Sequence, residues 1–369
     1  MEGCKGNPSL DMTIFPFFIP HQGCEQRCVF CQQHRISGVP NAPTPAQVAQ
    51  QLASILPPQS SGEVAFYGGS FTLLDVSLQR DYLACVTPFI QAGQVGGIRI
   101  STRPDACSPE VVARLKTGGV TTVELGCQSF SPEVLRLSQR GHGPHDARQS
   151  VLQLRNKGMR VGLQLMPGLP GGDFAEARYS LAQALSLRPD FLRIYPTVVL
   201  AGTALEQSWR EGHYAPLTLE QAVDLCAELL WHCRNSGIPV IRLGLQSSHE
   251  LDGEGAVVDG PYHPAFGQLV RSRLWRRALE SAARSSGGRQ VQVAFADLSD
   301  AHGHRRSNSD YLMRQFDSFE MVAADGVMRE TFIMLGRNYD VMSQACYLQP
   351  LSTAADSMDD GAPAFIGSL

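Results

Sequence analysis

This 369-residue sequence predicts an α/β fold: a partial or complete parallel (β/α) barrel followed by a small C-terminal α+β extension. Three observations carry that expectation. Short β-type runs alternate with helical patterns along most of the chain. Glycine, proline and polar residues gather just after those runs, where a barrel places its chemistry. The composition, 43% hydrophobic and 18% charged with a net charge of −4, supplies a large core and excludes a mostly disordered chain.

In chain order, strands are expected at 14–19, 64–67, 98–102, 122–127, 160–166, 191–195 and 238–243. Helices are expected between and after them at 45–56, 76–92, 109–118, 132–138, 145–157, 174–187 and 218–235. Thr44-Pro45, Ser108-Pro109 and Ser131-Pro132 each set a capping side chain before a proline at the first helical position. Gly118-Gly119, Gly158 and Gly237 stand where helices stop. The pattern changes near residue 285, where Ser285-Ser-Gly-Gly-Arg289 reads as a linker. A strand at 290–295 and a helix at 309–317 follow, then an unassigned stretch and a loose tail. The expected organisation is a 1–13 leader, a 14–284 barrel domain and a 285–369 C-terminal domain with tail.

The chain has no apolar run long enough to span a bilayer, and its N-terminus lacks the basic and apolar regions of a signal peptide. A cytoplasmic protein without a membrane partner is therefore expected. In that setting ten cysteines read as thiols or metal ligands. Seven are scattered, whereas Cys24, Cys28 and Cys31 form C-x3-C-x2-C in the loop after the first strand. Three thiolates within eight residues can converge on one metal centre, and no second C-x2-C follows to complete a four-cysteine set. A 4Fe–4S cluster with one open iron suits three ligands. A zinc knuckle completed by His21 or His34 is the alternative.

With Phe30 before the last cysteine, this motif resembles the signature of the radical S-adenosylmethionine (SAM) superfamily. The resemblance implies a radical-SAM-type barrel, a 4Fe–4S cluster on Cys24, Cys28 and Cys31, and SAM chelated at the open iron. It further implies reductive cleavage of SAM to a 5′-deoxyadenosyl radical, and an electron donor such as flavodoxin or ferredoxin.

Further stretches are similar to SAM-contacting motifs. Gly68-Gly69-Ser70-Phe71 resembles the glycine motif beside the SAM amino group. Ser101-Thr-Arg-Pro-Asp105 resembles the ribose-contacting strand end, with Ser101 where many relatives have Glu, and brings in Arg103. Gln128 is similar to a SAM-contacting Gln. Arg140 matches an Arg that pairs with the SAM carboxylate in oxygen-independent coproporphyrinogen oxidase, and Gln164 stands where that enzyme has Asp. The Tyr195 backbone would line the adenine.

Thr102-Arg-Pro-Asp105, Val123-Glu-Leu-Gly-Cys-Gln-Ser129, Arg140-Gly-His142, Met166-Pro-Gly-Leu-Pro170 and Leu192 to Thr203 resemble the radical SAM domain of the Elongator catalytic subunit. Arg284-Ser-Ser-Gly-Gly-Arg289 is the nearest approach to that subunit's acetyl-CoA loop and ends in Arg. The acetyltransferase activity is accordingly not expected.

Residues 265–314 hold nine arginines against four acids, leaving the rest of the chain at about −9. Arg271, Arg273, Arg276, Arg277, Arg305 and Arg306 are the candidate nucleic-acid contacts; a solvated helix face with Arg stems covering apolar surface is the stronger reading of the segment. Tyr262 and His263, in Asp259-Gly-Pro-Tyr-His-Pro264, read as a turn, and Cys127 as a buried small residue. The expected function is radical SAM chemistry on a transfer RNA or other nucleic-acid base. The alternatives are a small-metabolite enzyme akin to coproporphyrinogen oxidase and a non-catalytic iron–sulfur or zinc protein.

Overall fold

The computed structural model describes residues 13–20, 23–24, 28–32, 36, 41–253, 255–347 and 351. The leader 1–12, His21, His34 and the final dozen residues lie outside the described residues. The first half builds five βα units from β1 (Ile14–Phe18), α1 (Pro45–Ile55), β2 (Glu63–Tyr67), α2 (Val76–Gln91), β3 (Gly97–Thr102), α3 (Pro109–Thr117) and β4 (Val120–Gln128). It continues through α4 (Pro132–Leu137), α5 (Pro144–Asn156), β5 (Arg160–Leu165) and α6 (Phe174–Ser186). Next come β6 (Phe191–Ile194), β7 (Val199–Leu200), α7 (Ala204–Arg210), α8 (Leu219–Asn235), β8 (Val240–Leu243), α9 (His249–Asp252) and β9 (Val257–Asp259).

Seven strands form one parallel sheet in the order β1-β2-β3-β4-β5-β6-β8. Strand order follows chain order, so every crossover winds the same way and the sheet curls. Within this sheet β1 and β8 each have a single neighbour, which makes the barrel partial. Alternation along the strands separates two environments. Val64, Phe66, Ile98, Ile100, Val123, Leu125, Val161, Leu163, Leu192 and Ile194 face the helices and are fully buried. The intervening positions, among them Ser101, Glu124, Gly126, Gln164, Arg193 and Arg242, line the concave side. A barrel filled with apolar layers would have no room there for a ligand.

The expected helix boundaries have physical causes. Thr44, Ser108 and Ser131 accept from the backbone N–H three residues on, each ahead of its proline. Gly119, Gly158 and Gly237 follow the helix ends with φ of +85°, +67° and +69°.

The C-terminal part departs from expectation. Ser285-Ser-Gly-Gly-Arg289 is not an extended linker: α10 (Phe266–Ser286) runs into it and stops on Gly287, whose N–H bonds to Ala283 O. Gly288 packs so closely on β12 (Thr331–Met334) that a Cβ there would lie 2.4 Å from Met334 Cγ. The expected strand is shorter, β10 (Gln290–Val293), and is followed by α11 (Leu298–His302). The expected helix begins two residues earlier, as α12 (Ser307–Phe316). The unassigned stretch contains β11 (Glu320–Ala323), β12, β13 (Arg337–Asp340) and α13 (Val341–Gln344). These strands make a mixed sheet ordered β11-β10-β12-β13, with β10–β11 parallel and the other pairs antiparallel.

Candidate active site

The cavity at the C-terminal ends of the barrel strands has a volume of about 600 Å³, within the range of small-molecule sites. Cys24, Cys28, Phe30, Cys31, Gly68, Gly69, Ser70, Ser101, Arg103, Gln128, Arg140, Gln164 and Tyr195 all line it. The structure therefore brings together, on one concave surface, strand ends from β1 to β8.

The cysteine loop is tied down at both sides. Val29 N–H bonds to Ser138 O at 3.3 Å after α4, and Val29 O accepts from Leu205 N–H at 2.8 Å in α7. Cys31 N–H turns back onto Cys28 O at 3.1 Å. Cys28, Val29 and Phe30 are buried with Val134, Leu169, Val199 and Leu205 in a separate apolar cluster. Gly23 adopts φ +70°, and a Cβ there would meet Ser70 O at 2.5 Å, so the loop lies directly on the glycine motif. Gly68 itself has φ +92°, in the left-handed region that disfavours a side chain.

Two arginines stand beside the sulfurs with different commitments. Arg140 is buried; its Nη1 donates to Cys28 Sγ at 3.1 Å, Nη2 to Gly126 O at 2.6 Å and Nε to His142 Nε2 at 3.3 Å. Burial, reinforced by Arg140, lowers the His142 pKa to about 4, which keeps the imidazole neutral and able to accept. Arg103 holds Asp105 through two bonds, at 2.9 and 2.7 Å, while its buried Nη1 finds no hydrogen-bond partner among the described residues. A buried guanidinium N–H with nothing to donate to is costly, and an anion in the cavity would satisfy it.

Gln128 ends β4 with φ +69°, an uncommon backbone state for a non-glycine residue. A register shift between Leu125 and Gln128 accompanies it. Its Oε1 accepts from Gln164 Nε2 at 3.2 Å, which joins two candidate SAM contacts 36 residues apart.

Several lining residues have no role that a sequence motif assigns. Glu124 lies between two arginines: Arg99 Nη1 is 2.8 Å from Oε1 and Arg193 Nε is 2.8 Å from Oε2. Arg99 also pairs with Glu63 at 2.7 Å, so opposite charges alternate across β2, β3, β4 and β6. Tyr67 donates to Glu124 at 3.1 Å and accepts from Arg193 at 2.9 Å; Tyr195 accepts from Arg193 at 3.0 Å. Burial and then Glu124 push the Tyr67 phenol pKa upward, so it stays protonated. The readable signal was charge at inward-facing positions of otherwise apolar strands.

The outer candidates separate differently. Arg273 is buried and paired with Glu220 at 2.5 Å and with Asp224, and Arg271 pairs with Asp300 at 2.7 Å. Arg276 and Arg277 lie over the Tyr311 and Tyr347 rings. Arg305 and Arg306 are exposed. Tyr262 donates to Asp252 at 2.5 Å, and neither Tyr262 nor His263 lines the cavity. Cys127 is fully buried, and burial raises its thiol pKa to about 12.

Among the described residues, no three His, Cys, Asp or Glu side chains already stand at metal-holding separation. Cys24, Cys28 and Cys31 nevertheless open onto one cavity, which suits ligands drawn together by the group they bind. That donor set, the Gly23–Ser70 contact and the orphaned Arg103 Nη1 fit a three-cysteine cluster with an anionic ligand beside it.

Two family models match the chain: the Radical SAM superfamily over residues 18–182 and the Radical_SAM C-terminal domain over 189–276. A tRNA uridine(34) acetyltransferase of Dehalococcoides mccartyi is 30% identical over 75% of this chain and 72% of its own length. Elongator complex protein 3 of Mus musculus is 34% identical, over 41% of this chain and 26% of that protein. A tRNA uridine(34) acetyltransferase of Methanocaldococcus jannaschii is matched over only 36% of its length, so long parts of these relatives have no counterpart in the alignment. The archaeal Methanocaldococcus infernus Elp3 structure shares the fold with a TM-score of 0.56 and 22% identity, covering 76% of this chain and 66% of that one. The chain belongs to the radical SAM superfamily and is a radical SAM enzyme related to Elongator complex protein 3 and the tRNA uridine(34) acetyltransferases.

Proposed function

We propose that this enzyme reductively cleaves SAM at a 4Fe–4S cluster held by Cys24, Cys28 and Cys31 and uses the resulting radical to modify a base of transfer RNA or another nucleic acid. The carrying observation is the convergence of three cysteines and an unsatisfied buried arginine donor on one cavity at the barrel mouth. When bound, the cluster and SAM supply one-electron cleavage of the sulfonium to methionine and a 5′-deoxyadenosyl radical.

The chain's own residues orient and enclose. Arg140 fixes Cys28 through the Sγ contact and holds the β4 end through Gly126 O. Arg103 Nη1 is the donor for an anionic group such as the SAM carboxylate. Gly68 and Gly69 leave backbone accessible to the ligand's amino group, while Ser101 and Gln128 offer polar contacts to its ribose end. Val134, Leu169, Val199 and Leu205 wrap the cysteine loop in apolar surface, which limits access of water to a reactive radical.

A nucleic-acid substrate is supported by the chain's similarity to tRNA uridine(34) acetyltransferases and Elongator complex protein 3 and by the basic C-terminal segment. It includes transfer RNA as partner, a one-electron donor of the flavodoxin or ferredoxin type and a cytoplasmic setting. It keeps the division into a barrel domain, 14–284, and a C-terminal domain with tail, 285–369. No helix among the described residues is long and apolar enough to cross a membrane.

The test is anaerobic. Reconstituted, reduced enzyme given SAM, with and without transfer RNA, should release 5′-deoxyadenosine, and Cys28→Ala should abolish it. Acceleration by RNA but not by small metabolites supports the substrate class. A fully loaded, reduced enzyme that leaves SAM intact under both conditions overturns the reading.

A further inference from the structure

The cavity has a second charged wall on β6 and β8, at the other end of the sheet order from β1, whose following loop carries the cysteines. On it, register pairs Arg193 of β6 with Arg242 of β8, placing two guanidinium-bearing residues side by side on neighbouring strands. Adjacent like charges on a sheet are unfavourable unless each is compensated. Arg193 is compensated by Glu124 at 2.8 Å. Nearby, Arg99 pairs with Glu63 and Glu124 and Arg103 with Asp105, while Arg140 spends its donors on Cys28 Sγ, Gly126 O and His142. Arg242 is different. Among the described residues no carboxylate pairs with it, and its Nη2 donates to the neutral Gln246 Oε1 at 2.9 Å. Both Arg242 and Gln246 line the cavity, as do Leu245 and Tyr195 beside them.

We infer that Arg242, oriented by Gln246, is an oxyanion-binding subsite that seats a carboxylate or phosphate group of the substrate in the cavity that the cysteines also line. The inference rests on the proposed function and deepens it by naming the chemistry of the substrate: it carries an oxyanion within reach of the bond to be attacked. An incoming oxyanion would supply the compensation that the sheet withholds from Arg242 alone. It would exchange solvation for charge-assisted hydrogen bonds, which a planar guanidinium makes in pairs. Two neutral groups of this wall are already engaged elsewhere. Ser247 Oγ donates to Asp252, and Ser248 Oγ accepts from Leu251 N–H at 3.2 Å. The oxyanion would fix one end of the substrate while its reacting carbon faces the cysteine side.

The experiment measures binding without turnover, by calorimetry on the reconstituted, SAM-loaded enzyme. The probes are acetate and malonate for a carboxylate, and inorganic phosphate and uridine 5′-monophosphate for a phosphate; acetamide and uridine are neutral controls. At least one oxyanion should bind, and the series that binds identifies the source of the group. Arg242→Gln should weaken that binding about tenfold or more, as expected for losing a charge-assisted bidentate contact. Arg242→Lys should retain part of it, and Arg210→Gln, on the exposed surface, should change nothing. Thermal unfolding of each variant verifies that it folds. Binding of no oxyanion by the parent enzyme overturns the inference, as does unchanged affinity in a folded Arg242→Gln. Failure of SAM cleavage would instead remove the radical reading, because the binding assay requires no chemistry.

Discussion

Glu124 is nearly fully buried, yet it carries a charge between Arg99 and Arg193 and accepts from Tyr67. Such a group is tolerated because each oxygen meets a guanidinium at hydrogen-bonding distance. Glu124→Gln keeps the shape but removes the shared negative charge, leaving two buried cations without their common counter-ion. The expected loss of unfolding free energy is about 3–5 kcal/mol, read from urea denaturation. A loss below about 1 kcal/mol would mean that water, not Glu124, compensates these arginines. Glu124 sits inside the Val123-Glu-Leu-Gly-Cys-Gln-Ser129 stretch, yet the sequence alone assigns it no role. A carboxylate in a strand has no chemical signature until its partners, 25 and 69 residues away, are folded beside it. The cysteines differ, because their chemistry is encoded locally in C-x3-C-x2-C. Even so, the sequence did not reveal that Arg140 spends its donors on Cys28, Gly126 and His142, or that Arg103 keeps one unmet.

At the level of elements, most barrel strands and helices lie within about two residues of their expected positions, because capping and period are local properties. The long helix α10 is not legible as a helix in the sequence. Its buried side includes small alanines, 278, 282 and 283, and a buried arginine, Arg273, so its apolar stripe is diluted. The strands β11 and β13 are four residues long and mostly exposed, too short to show alternation, and β13 is polar besides. One strand pair yields a sharp expectation. Gly162 on β5 is the register partner of Phe191 on β6, and a Cβ at 162 would lie 2.1 Å from the Phe191 ring. That ring is buried with the Arg99 guanidinium 4.9 Å above it, so it cannot simply swing away. Gly162→Ala should therefore destabilise by about 1–3 kcal/mol through overpacking. Adding Phe191→Leu should return part of that loss in a double-mutant cycle, measured by thermal unfolding. Strict additivity would show that the strands separate instead of clashing.

Across the whole molecule, the arginine excess of residues 265–314 is less uniform than its count suggests. Folding commits Arg273 to Glu220 and Asp224, Arg271 to Asp300 and Arg284 to Glu280. Arg289 lies over the Phe316 ring and bonds to backbone carbonyls. What reaches solvent without an ion pair among the described residues includes Arg305 and Arg306, in the turn before α12. Both hold left-handed backbone, with φ of 49° and 63°. Two consecutive non-glycine residues in that region cost roughly 1–2 kcal/mol each, a strain with no packing return for exposed side chains. Display of two cations to a polyanion would give it a use. If transfer RNA docks here, Arg305→Gln with Arg306→Gln should weaken binding and flatten its salt dependence. Each lost phosphate contact removes about 0.7–0.9 from the slope of log affinity against log salt, so the pair should remove about 1.5. Arg273→Gln, by contrast, should lower stability and leave the slope of the folded fraction unchanged, because its charge is spent inside the fold. Filter-binding titrations from 50 to 200 mM salt, roughly the range over which such contacts weaken most visibly, separate the two effects. An unchanged slope in the double variant would move the RNA-binding face away from this turn.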